Sequence, residues 1–145
     1  MNSENYNHPT VPGVISNWIG REEVRVDIPI IDHLDARVLR EVEKDPRLFD
    51  MRDYSLSSTC GTTHCFAGWV LELAGAQALP LIVRGYGVAA ERIYKASCPG
   101  KQCPSFSGVS YVSNGKSFSD QLEDHNARHL DLLRQRAAFD PLPVD

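Results

Sequence analysis

No run in this 145-residue chain stays apolar for the roughly 18 positions that a membrane-crossing helix requires, so no spanning segment is expected. Met1 to Gly20 have neither a basic start nor a continuous apolar stretch, so no secretory signal is expected and the cytoplasm is the expected compartment. Clustered Lys and Arg are missing too. The five basic residues of the middle region (Arg84, Arg92, Lys95, Lys101, Lys116) are spread thinly, which disfavours a nucleic-acid partner and reads as solvated surface. The acids Asp50, Asp53, Glu72 and Glu91 show no paired spacing of the kind acid–base catalysis needs. There is no internal repeat.

What remains is the composition of an ordinary globular domain, 42% hydrophobic and 23% charged, with a formal net charge of −4. Residues 1–53 carry seven basic and eleven acidic groups, residues 54–116 five and two, and residues 117–145 three and six. A mildly basic middle lies between acidic ends, a distribution compatible with a protein partner.

The expected organisation is a flexible N-terminal tail over 1–20, a single domain over 21–140, and a short tail over 141–145. Residues 1–17 are rich in Asn, Ser, Pro and Gly. Period-two alternation over 23–28 predicts a half-buried strand, ended by Pro29. Ile31, Leu34, Val38, Leu39 and Val42 recur at helical spacing, with Asp32 as N-cap, Asp35 three residues on and Pro46 as the stop. Residues 63–75 read as a helix apolar on nearly every face, capped by Thr62 or Thr63 and ended by Gly75, hence buried on most sides and central to the fold. A helix is expected over 88–96. Asn114-Gly115 between Val109–Val112 and Lys116–Phe118 predicts a β-hairpin over 109–118. Ser117 or Ser119 then caps a last helix reaching about Ala138. The fold class is helix-dominated α+β, about four helices around the central one.

Chemistry concentrates in the cysteines and histidines. Cys60/Cys65 and Cys98/Cys103 form two C-x4-C pairs, and without a secretory signal free thiols or metal ligands outrank disulfides. Two such pairs could supply a tetrahedral zinc site, although four intervening residues is the loose end of zinc spacing. His125 and His129 lie at i and i+4, one above the other on the last helix, as metal-binding imidazoles do. That stretch is similar to the end of a C2H2 zinc finger, yet Asn114 stands where a finger places a cysteine. The alternative is two histidines at the edge of an amphipathic helix. Cys65 opens the central helix, where unpaired backbone N–H groups lower a thiol's pKa. With His64, His125 or His129 as base and Asp124 or Asn126 to orient it, Cys65 could be a nucleophile. Cys60-Gly61 and Cys65-Phe66-Ala67 faintly resemble the start of papain-like peptidases. The alternative is a small buried thiol beside Trp69.

Asp50-Met51 and Cys60-Gly61-Thr62-Thr63-His64-Cys65-Phe66-Ala67-Gly68-Trp69, preceded by Asp45-Pro46, resemble a core segment of small bacterial and phage proteins of unknown function. The resemblance covers about residues 28–76. It implies a shared core and favours an intracellular binder acting on a host protein. The expected function is therefore protein binding, in the manner of a phage-encoded modulator in a bacterial or phage-infected cell. A thiol hydrolase or transferase using Cys65 with His125 or His129 is the first alternative. A zinc-stabilised binding module drawing on Cys60, Cys65, Cys98, Cys103, His125 and His129 is the second. No other cofactor is implied.

Overall fold

The computed structural model describes residues 7–16, 22–45, 49, 65–104, 113 and 115–143. Two strands, β1 (Thr10–Ser16) and β2 (Glu23–Pro29), pair antiparallel with Ile15 opposite Val24 and Val11 opposite Ile28. Four helices follow: α1 (Leu34–Lys44), α2 (Phe66–Ala74), α3 (Tyr86–Ser97) and α4 (Phe118–Phe139), with a 3-10 segment over Gly75–Arg84 joining α2 to α3. The architecture is helix-dominated α+β, as the patterning predicts.

The predicted strand at 23–28 is present and acquires a partner where a tail was expected. Val11, Gly13 and Ile15 share the inner face of β1, and Ile15 and Ile28 are both buried. Gly13 keeps this approach close, because a Cβ there would overlap the Ile28 Cδ1 methyl and stand 3.1 Å from Cγ1. Ahead of the strand, the His8 N–H donates to Gln77 Oε1 (2.7 Å), Gln77 Nε2 donates to the His8 carbonyl (3.0 Å), and the His8 ring Nε2 donates to the Leu73 carbonyl (2.9 Å). These bonds, with the burial of Ile15, correct the expectation of a flexible tail over 1–20 for residues 8–16. Small and polar residues there fit a strand at a sheet edge, and Pro12 is tolerated because an edge strand leaves half its ladder positions unpaired.

Helix α1 places Leu34, Val38 and Val42 in the core, with Arg40, Glu43 and Lys44 outside. Its N-cap is His33 rather than Asp32: the chain turns through the left-handed region at His33 (φ 54°), and no side chain caps the helix. The His33 ring Nδ1 instead donates to Asp140 Oδ1 at the far end of the chain (2.7 Å).

Helix α2 is buried from Phe66 through Leu71 and again at Ala74, which makes it the axis of the core. It starts later than predicted, because Cys65 is the N-cap and its Sγ accepts from the Gly68 N–H (3.5 Å). Gly75 ends it at φ 64°. The predicted helix over 88–96 is α3, which packs one face, Ala89, Ala90, Ile93 and Tyr94, against the core. Helix α4 is capped as predicted, with Ser117 Oγ accepting from the Asp120 N–H (3.1 Å). It lies against α1 and buries Leu133 and Ala137.

Of the hairpin expected over 109–118, residues 109–112 and 114 lie outside the described residues. Its outgoing strand is not one: Ser117 is the cap of α4 and Phe118 its first residue, since a cap bond commits the chain to helix at that point. Among the described residues, no single helix is long and apolar enough to cross a membrane.

Candidate functional site

Helices α1, α3 and α4 converge on one carboxylate. Asp35 belongs to the apolar face of α1, in line with Ile31, Val38 and Val42, and its side chain is fully buried. An isolated buried carboxylate is costly, so it must be paired and hydrogen-bonded. Three donors meet it. The Tyr94 hydroxyl, from α3, donates to Oδ2 at 2.8 Å. Arg136 Nε, from α4, donates to Oδ1 at 2.9 Å. Lys101 Nζ, from the segment that follows α3, stands 3.4 Å from Oδ2. Burial, and next the charge of Asp35, push the Tyr94 hydroxyl well above the usual phenol range, so it remains a donor.

Aromatic rings fix the geometry. The Arg136 guanidinium lies over the Phe66 ring, 4.8 Å from its centroid, and Phe66 meets Tyr94 edge-on at 5.8 Å and 68°. The first residue of the central helix thus holds the two strongest partners of Asp35 in place. Two cations stand against one carboxylate, leaving the cluster a surplus of one positive charge.

That surplus opens onto a cleft of about 560 Å³ between residues 101–104 and α4, lined by Lys101, Cys103, Pro104, Leu132, Arg136 and Phe139 among others. Lys101 and Arg136 are part-exposed, whereas Phe139 is 85% and Leu132 41% exposed. The cleft combines a cationic floor with a projecting apolar rim. A second depression, of about 670 Å³, lies between α1, α4 and Pro141-Leu142.

The residues singled out from sequence are placed differently. Cys65 is fully buried as the α2 cap, which denies it the solvent access a nucleophile needs. Cys60 and His64 lie outside the described residues. Cys98 is a buried free thiol pushed up to about 11, by burial first and then by the charge of Asp35. Cys103, on the cleft wall, is a free thiol also pushed up, by burial and then by Glu91, and its S–H donates to the Pro104 carbonyl (3.5 Å). Thiols raised in this way are weak nucleophiles near neutral pH.

His125 and His129 do meet, as their spacing predicts, with ring centroids 4.4 Å apart and planes tilted by 49°. The His125 Nδ1 accepts from Arg128 Nη2 (3.1 Å). His129 is pushed down to about 4, by burial first and then by His125, Arg128 and Arg136. Among the described residues, no three His, Cys, Asp or Glu side chains come together as a metal site, so Cys65, Cys98, Cys103, His125 and His129 form no zinc centre between them.

Sequence reasoning missed Asp35, Tyr94, Lys101 and Arg136 as a group. Lys101, expected as solvated surface, is drawn inward by the buried charge. Comparison of the chain with protein-family models, with curated proteins and with solved structures returns no match.

Proposed function

We propose that the chain is a protein-binding module whose contact surface is the cleft between residues 101–104 and α4. One observation carries this reading: Leu132 and Phe139 project from the solvent side of α4 beside two cations that a buried carboxylate holds in place. Large exposed apolar side chains flanking fixed polar groups are the usual composition of a protein contact surface. The cleft is open rather than enclosing, whereas small-molecule sites bury most of their ligand. The resemblance of Cys60–Trp69 to segments of small bacterial and phage proteins supports a wider role as a modulator of a host protein. The buried Cys65 lends no support to thiol catalysis.

A random peptide library displayed against the protein tests the reading. Selected peptides are expected to lose binding to Phe139→Asp and to keep it with Leu79→Asp, a change at an exposed residue of the 3-10 segment. Peptides that bind both variants equally, or no enrichment over background, would refute it.

A further inference from the structure

Among the described residues, Arg136 is engaged on one edge and one face only. Its Nε is bound to Asp35 and its plane covers Phe66, while neither Nη takes a hydrogen bond among the described residues. About a fifth of the side chain is exposed, and it lines the cleft. A guanidinium whose Nη pair is uncommitted is a carboxylate receptor with its orientation already set, so little ordering remains to oppose binding. Lys101 adds a second cation on the same floor, and its 3.4 Å contact with Asp35 leaves Nζ with donors to spare.

Resting on the binding role proposed above, the geometry points to a more specific occupant: an extended partner segment in which an Asp or Glu side chain stands next to a large apolar residue. The carboxylate takes the Arg136 Nη edge and Lys101, and the apolar neighbour packs between Leu132, Pro104 and Phe139. Charge complementarity selects this occupant, because the cleft floor carries one positive charge beyond what Asp35 neutralises. A polyanion is a poor fit: Asp131 and Asp140 flank this part of α4, the chain carries a net charge of −4, and a single surplus cation releases few counterions. A second copy is equally poor, since a two-fold contact through the cleft sets its surplus charge against itself.

Blocked peptides with a Leu-Glu-Phe centre in a Gly-Ser context test this inference. Matched controls carry Leu-Gln-Phe, or end in a free carboxylate after Leu-Phe. Binding is followed by NMR on the full chain, at the Arg136 Nε–H and the Phe139 backbone amide. The glutamate peptide is expected to bind about tenfold or more tightly than the glutamine peptide. Arg136→Lys keeps a charge for Asp35 but lacks the fork, and is expected to remove most of that difference while the protein stays folded. Equal binding of the glutamate and glutamine peptides at Phe139 would overturn the carboxylate assignment and leave the cleft as a binding surface. Tighter binding of the free C-terminus would overturn the side-chain assignment. No saturable shift at either probe with any peptide overturns the inference, and the Phe139→Asp display result then decides separately whether the cleft binds protein at all.

Discussion

The Tyr94 hydroxyl of α3 and the Asp35 carboxylate of α1, 59 residues apart, meet at 2.8 Å in the interior. Both side chains are shut off from solvent, so the bond replaces hydration that neither group retains. Asp35 keeps Arg136 and Lys101 at the base of the cleft, and Tyr94 in turn fixes which way Asp35 faces. Fold stability and cleft geometry therefore share this carboxylate.

Removing the hydroxyl with Tyr94→Phe leaves the ring in the core and deletes one hydrogen bond to a charged acceptor. The expected cost is about 1.5–3 kcal/mol, read as a lower urea midpoint with an unchanged slope. Asp35→Ala is expected to cost more, about 3 kcal/mol or above, because it strands the Tyr94 donor and two cations together. The double variant should cost clearly less than the two single losses added, since both remove the same contact. Additive losses would show that the two groups do not meet in solution.

Thiol labelling separates the cysteines by access and charge state. Of the three cysteines among the described residues, Cys103, half-buried on the cleft wall, is expected to react first with a maleimide in the native protein. Cys98, held at about 11 inside the core, and Cys65, enclosed at the head of α2, should react only through unfolding, and so follow global stability in mild urea. Peptide mapping by mass spectrometry gives the order. Prompt labelling of Cys65 under native conditions would mean that α2 is not wrapped by its neighbours, and it would reopen the nucleophile reading.

The parts of this fold that could be read from the chain are those written in periodicity. The apolar surface of Phe66–Ala74, broken only by Glu72, requires burial on most sides, and the serine before Phe118 announces α4. What escaped is non-local. Nothing near Thr10–Ser16 shows that Glu23–Pro29 lies opposite, or that Gln77 fastens His8, because each strand becomes stable only through the other. Asp35 did leave a trace. An acid in line with Ile31, Val38 and Val42 sits on the apolar stripe of its helix, but proximity to the helix start offers a simpler explanation as a first-turn acid. Its partners come from Tyr94, Lys101 and Arg136, up to 101 residues away, so the reason for the charge appears only once the helices are assembled.

His129 provides a pH test of how α4 packs. Burial, reinforced by His125, Arg128 and Arg136, holds its folded-state pKa at about 4 against an ordinary value of 6.5. The fold thus favours the neutral imidazole. Between those two values the unfolded chain binds the proton more readily than the native one, so stability rises with pH across that window. The contribution is complete above pH 6.5 and is lost as the pH falls toward 4. Because the ring is only half-buried, solvent screening reduces the full linkage value, and about 1–2 kcal/mol is expected. Carboxylates titrate in the lower part of the same range, so the discriminating quantity is the difference between the wild type and His129→Gln. The variant should lose less stability than the wild type between pH 7 and pH 5, and the wild-type His129 Cε1 resonance should titrate well below that of a solvent-exposed imidazole. A native midpoint for His129 near 6.5 would show that this face of α4 is open to water, since burial is the main cause of the downward shift.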